Sequence, residues 1–158
     1  MSPRRILAIA VAAMALVLGQ LAVGSASAAP AVEASKLQQK IDRYVDTHPG
    51  TEQISANKVR IPGGTLTVAV PGTTPRTAAA PSCSHGWLCI QDGLGDYYDY
   101  YDCGYYEFWG IGDGTFNNDQ TSGTVARFYN SDGTQRWSNT AKDTGTASWS
   151  PVYYIRPC

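Results

Sequence analysis

Between Phe116 and Gly123 the chain reads FNNDQTSG, which gathers side-chain amides, the Asp119 carboxylate and the hydroxyls of Thr121 and Ser122 into one short stretch. Such oxygens suit a hard cation, because Ca²⁺ takes six to eight oxygen ligands at about 2.3 to 2.6 Å. The same residue types also build turns, by bonding their side chains to their own backbone. A second group with chemistry is the four cysteines, Cys83, Cys89, Cys103 and Cys158. Their spacing contains no C-x2-C pair, and His85 is the only imidazole near them, so zinc is a poor fit. An even number of cysteines in an exported chain points to two disulfides.

Catalytic patterns are missing from the sequence. It carries no phosphate-binding loop, no HExxH, no G-x-S-x-G and no CxxC. His48 and His85 lack an evident orienting partner. Asp92, Asp96, Asp99, Asp102 and Glu107 offer carboxylate pairs, but any acidic domain does. The reading is a protein that acts by binding rather than as an enzyme.

The run GDYYDYYDCGYYEFW, Gly95 to Trp109, is the densest aromatic stretch. Tyr97, Tyr98, Tyr100 and Tyr101 are the candidate partner-binding residues, since tyrosine supplies contact area and a hydrogen bond at low entropic cost. The competing use is core, with one face of each strand buried and hydroxyls at the rim. Asp96, Asp99 and Asp102 recur every third position as turn and surface residues. Trp87, Trp109, Trp137 and Trp149 read as packing residues.

The elements that must hold these residues begin after an export signal. Arg4 and Arg5 precede an apolar run from Ile6 to Gly19 and the small-residue site Ala26-Ser27-Ala28. This is the order of a secretory signal peptide, residues 1–28, and the run is too short for a membrane helix. The expectation is a secreted, extracellular protein with no membrane association after cleavage. Losing the two arginines moves the net charge from −1 to −3. A mildly acidic chain lacks the basic surface that nucleic acid requires.

The mature chain divides by composition. Sixteen of the seventeen aromatic residues follow Cys83, and net charge is +2 over residues 29–82 against −5 over residues 83–158. In residues 29–71, Leu37, Ile41, Tyr44 and Val45 share one helical face that should end before His48-Pro49-Gly50. Lys58 to Ile61, a turn at Pro62-Gly63-Gly64 and Thr65 to Val70 read as a hairpin, with Leu66, Val68 and Val70 to one side. So small a helix and hairpin cannot stand alone; the segment docks on something or is removed as a pro-segment. Residues 72–82, GTTPRTAAAPS, read as a linker with a processing site around Arg76.

Residues 83–158 read as all-β. Trp87 to Gln91, Tyr105 to Trp109, Val125 to Tyr129, Thr134 to Ser138 and Val152 to Ile155 are the expected strands. Ser131-Asp132-Gly133 is a hairpin turn, and Asp113-Gly114 is read as another turn.

The segment APSCSHGWLC resembles the mature start of the Streptomyces metalloproteinase inhibitor family, through Ala80, Pro81, Ser82, Cys83, Gly86, Leu88 and Cys89. The resemblance implies a βγ-crystallin-like Greek-key sandwich, a bridge between Cys83 and Cys89 that leaves Cys103 for Cys158, and inhibition of a thermolysin-like zinc protease. Calcium-binding βγ-crystallins carry N/D, N/D, two free positions, S/T, S, which Asn117 to Ser122 satisfies. By that pattern Asn118 offers a side-chain oxygen, Asp119 its backbone carbonyl and Thr121 its hydroxyl, with Asp92 the best further source. The second such stretch, Asp143 to Ser148, fails at two positions, so the expectation is at most one weak calcium site. The function expected is a secreted inhibitor whose partner is a metalloprotease or another extracellular protein. A calcium-binding βγ-crystallin module and a glycan-binding module are the alternatives.

Overall fold

A computed structural model of the chain describes residues 28–73 and 79–158. The expected signal peptide, but for its last residue, and the expected processing site around Arg76 lie outside these residues. The described part is mostly β, with one helix, two antiparallel sheets and two disulfides. Among the described residues no helix is long and apolar enough to cross a membrane.

Helix α1 spans Ala28–Thr47 and buries Leu37 and Ile41, with Tyr44 and Val45 half-buried on the same face. It stops where Pro49 disfavours helical backbone at the preceding residue. Strands β1 (Glu52–Gln53), β2 (Lys58–Ile61) and β3 (Gly64–Thr67) follow. Then come β4 (Leu88–Gln91), β5 (Tyr97–Tyr100), β6 (Tyr106–Glu107) and β7 (Asp113–Asn118). The chain finishes with β8 (Val125–Tyr129), β9 (Gln135–Thr140), β10 (Asp143–Ser148) and β11 (Tyr154–Arg156).

The larger sheet runs β1-β2-β3-β5-β4-β7-β10 and the smaller β6-β11-β8-β9. From β4 onward the two quartets of strands are arranged alike. The order β5-β4-β7-β10 becomes β9-β8-β11-β6 when each strand is advanced by four and the count wraps. Each quartet therefore lends its third strand to the opposite sheet, which interlocks the layers.

One row of side chains crosses the larger sheet on its inner face. Val59 lies opposite Leu66, Leu66 opposite Tyr98, Tyr98 opposite Ile90 and Ile90 opposite Phe116. Directly opposite residues of paired strands share a face, so this row is continuous across five strands. Trp149, fully buried, meets Phe108 at 5.5 Å, Phe128 at 5.7 Å and Trp137 at 6.1 Å. The aromatics thus join the two sheets.

Four strands depart from the sequence reading, the shortest being β1, Glu52–Gln53. Tyr97–Tyr100, Asp113–Asn118 and Asp143–Ser148 were not expected as strands, and Asp113-Gly114 begins β7 instead of turning. The tyrosines of Tyr97–Tyr100 favour a strand, whereas in Asp113–Asn118 and Asp143–Ser148 the Asp, Asn and Gly content is unfavourable for one. Position decides otherwise: a Cβ on Gly114 would collide with the Gln91 carbonyl oxygen, so glycine is what lets β7 approach β4.

Cys103–Cys158 closes a separation of 55 residues and Cys83–Cys89 one of 6. In chain-entropy terms the first removes about 4 kcal/mol of unfolded-state freedom and the second about 2 kcal/mol. The long bridge is the stabiliser; the short one chiefly shapes its loop.

Candidate functional site

The stretch that opened the sequence reading is half strand. Phe116 to Asn118 complete β7, and only the residues after Asn118 turn, with Thr124 N–H donating to the Thr121 carbonyl at 2.9 Å. The turn expected over the whole stretch is thus confined to its second half. Asn118 is fully buried, and its amide Nδ2 donates to Asn139 Oδ1 at 2.9 Å across to the other sheet. Its Oδ1 accepts from Gln120 Nε2 at 3.0 Å, and the same Gln120 nitrogen donates to the Pro157 carbonyl at 2.6 Å. Asn118 is thereby engaged at both ends of its amide, as a buried polar group must be.

Asp119 is engaged as well. Its carbonyl accepts from Gly86 N–H at 2.8 Å and its N–H donates to the Trp87 carbonyl at 3.0 Å. Its carboxylate takes Lys142 Nζ at 2.7 Å, with His85 Nδ1 3.9 Å away. The Lys142 hydrogen bond, with the Lys142 and His85 charges behind it, holds the carboxyl below the usual carboxylate range. Thr121 is exposed in the turn.

Asp92 lies elsewhere. The β4–β7 register sets Asn118 opposite Leu88 and Thr115 opposite Gln91, so Asp92 sits past the far end of that pairing. Four residues of strand put it about 13 Å along from Asn118. The Asp92 carboxylate is buried and faces N–H donors: Leu94 and Asp96 at 2.9 Å on Oδ1 and Ile111 at 3.2 Å on Oδ2. Burial, with the neighbouring Asp96 charge, pushes its pKa up against those bonds. Oxygens ringed by amide hydrogens stitch a loop together and are poor cation ligands. The four residues expected to share a calcium ion are not brought together.

The tyrosines split. Tyr98 and Tyr100 are 2% and 1% exposed and point into the core, whereas Tyr97 is half-buried and Tyr101 exposed. Burial raises the pKa of both inward phenols well above the ordinary value. Tyr98 and Tyr100 therefore cannot meet a partner in this fold. Their strand edge is taken too, because β3 pairs along all of β5 from Gly64 opposite Tyr100 to Thr67 opposite Tyr97.

Two features of that docking were not legible as chemistry. Asp96, expected at the surface, is 6% exposed and binds Lys40 Nζ of α1 at 2.7 and 2.9 Å, while Ala69 N–H donates to its Oδ1 at 2.8 Å. Gly63 offers its carbonyl to Tyr101 N–H at 3.0 Å and Asp102 N–H at 3.1 Å. A Cβ on Gly63 would collide with the Tyr106 ring and one on Gly64 with the Asp99 carbonyl, so the glycines of the hairpin turn also allow this close approach.

What remains displayed is a short loop. Ser84, His85 and Gly86 are exposed within the ring closed by Cys83–Cys89. Trp87 N–H closes the loop on the Ser84 carbonyl at 3.1 Å, and Gly86 N–H fastens it to Asp119. Before the ring, Ala79 and Pro81 cross the sheet, their carbonyls accepting from Thr115 Oγ1 at 3.3 Å and Asn117 Nδ2 at 3.0 Å. The loop is thus held by a disulfide below, the Asp119 turn beside it and an anchored approach. Compared with family models, curated proteins and solved structures, the chain gives no match.

Proposed function

We propose that this is a secreted proteinaceous inhibitor of a thermolysin-like metalloprotease, carried on a βγ-crystallin-like Greek-key sandwich. The observation that carries the reading is the exposed Ser84-His85-Gly86 loop, cross-linked at its base by Cys83–Cys89 and bonded to Asp119. A loop already ordered in the free protein loses little entropy on entering a cleft, and preorganisation of this kind is what gives protein inhibitors their affinity. It lies inside the segment, Ala80 to Cys89, on which the family resemblance rests. The Greek-key reading is supported by the exchange of β6 and β10 between the two strand quartets. Two disulfides accord with an oxidising, extracellular setting.

The test is a titration of the oxidised mature chain against thermolysin. The expected result is loss of peptidase activity as inhibitor approaches equimolar, weakened at least tenfold by His85→Ala with Ser84→Ala. Full peptidase activity at a large molar excess of the protein would sink the proposal.

A further inference from the structure

The outer face of the smaller sheet carries charge that the fold does not explain. Register places Arg156 directly opposite Arg127, and Tyr154 opposite Tyr129, one pleat along. Both pairs share the face opposite to the buried Phe128 and Ile155. Like charges on directly opposed residues destabilise a sheet. Among the described residues neither arginine takes a salt bridge; Arg127 reaches only the Val125 carbonyl, at 3.3 Å. Of the other two bases of residues 83–158, Lys142 pairs with Asp119 at 2.7 Å, while Arg136, held only by the neutral Asn130 Oδ1 at 3.3 Å, has no like charge directly opposite it. In a unit of nine acids and four bases, an unneutralised arginine pair stands out.

Beside the pair lies an aromatic platform. Tyr105, 47% exposed, stacks on Tyr154 with centroids 5.2 Å apart and meets Tyr129 edge-on at the same distance. Two grooves adjoin it and share Glu107 and Trp109. One, of 310 Å³, runs along Tyr153 and Tyr154; the other, of 360 Å³, runs along Tyr105 and Pro62.

We propose that this face binds an acidic polysaccharide of the polyuronate class, with sugar rings against Tyr105, Tyr154 and Trp109 and ring carboxylates on Arg127 and Arg156. Guanidinium groups match carboxylates in a two-bond fork. Aromatic faces offer the flat apolar surface that a sugar ring covers, and the tyrosine hydroxyls and Glu107 supply polar partners at its edge. A uronate carries its carboxylate on the ring itself. That matches a site where stacking tyrosines and arginines are immediate neighbours, better than a polymer whose charge sits in linkers between sugars. The site shares no residue with the Ser84–Gly86 loop, so it stands or falls separately from protease inhibition.

The experiment is affinity electrophoresis and calorimetry of the oxidised mature chain with polygalacturonate, dextran and poly-L-glutamate of similar length. Polygalacturonate should bind at least tenfold more tightly than poly-L-glutamate, and dextran should not bind. Arg127→Gln with Arg156→Gln should lower polygalacturonate affinity at least tenfold, Tyr105→Ala several-fold, and Arg136→Gln should leave it unchanged. The double arginine variant should melt no lower than the parent without ligand, which shows that its loss is one of binding. Equal binding of dextran or of poly-L-glutamate, or undiminished binding by the double variant, would overturn the proposal.

Discussion

Lys40 of helix α1 and Asp96 of the β4–β5 loop, 56 positions apart in sequence, form an ion pair at 2.7 Å. Asp96 also receives the Ala69 N–H, so one carboxylate holds both the helix and the segment that leaves β3. The tie explains how a segment too small to fold alone becomes part of a larger core.

Asp96→Ala should lower stability by about 2 to 3 kcal/mol, since it removes charge-assisted bonds and leaves the Ala69 N–H without its partner. Lys40→Met should cost less, because its side chain is one-third exposed and solvent screens the pair. Urea denaturation of the three proteins checks the order. Equal stability of parent and Asp96→Ala would count against the tie.

Gly64→Ala would drive a methyl group into the Asp99 carbonyl where β3 meets β5. A loss of about 1 to 3 kcal/mol is expected, of the size seen when packed interiors are overfilled. Hydrogen exchange at the β5 amides should speed up in the variant. Thr65→Ala, at a half-exposed neighbour, should change exchange far less.

A cut within the linker, residues 72–82, should leave the two pieces together. Ile41, Val59 and Leu66 are fully buried and Val68 nearly so, each contributing about 1.5 to 3 kcal/mol by leaving water. Native mass spectrometry of the nicked protein should therefore show one species of nearly undiminished mass. Separation of the fragments at micromolar concentration would show the docking to be weak.

Asn118→Ala should destabilise by about 1 to 3 kcal/mol, because Asn139 and Gln120 both lose a buried partner. Thermal melts in chelator should show the full loss. A loss that appears only with added Ca²⁺ would instead assign Asn118 to an ion.

Asp119 should contribute to acid sensitivity. Its folded pKa is lowered, first by the Lys142 hydrogen bond, so its contribution is present above the usual carboxylate range, about pH 4, and lost as pH falls through the folded value. Asp92 acts with the opposite sign: burial raises its pKa, so its preference for the folded state is greatest at acid pH and is lost as pH rises through that value. Chemical denaturation between pH 2 and 6 should show a shallower acid decline in Asp119→Asn than in the parent. In Asp92→Asn the decline should be steeper. Parallel curves would refute both assignments.

Local pattern carried much of the fold. The spacing of Leu37, Ile41, Tyr44 and Val45 marked the helix face and Pro49 its end, and Ser131-Asp132-Gly133 marked the β8–β9 turn, where Gly133 N–H bonds the Asn130 carbonyl at 3.0 Å. These are readable because helix period and turn chemistry are decided within a few residues. Strands β7 and β10 were hidden because DGTFNN and DTGTAS look like turns until a neighbouring strand supplies their hydrogen bonds.

The candidate site was less legible for the same physical reason. Sequence alone determined that oxygen-rich side chains cluster around Asn118, that Tyr98 and Tyr100 alternate with Tyr97 and Tyr101, and that Arg127 lies in one expected strand while Arg156 falls just past the end of another. Tertiary structure decided that Asn118 is spent on joining the sheets, that Asp92 is at the other end of β4, and that Arg127 faces Arg156. A residue's type is written in the chain, but whether its polar atoms are already satisfied depends on partners brought from tens of positions away.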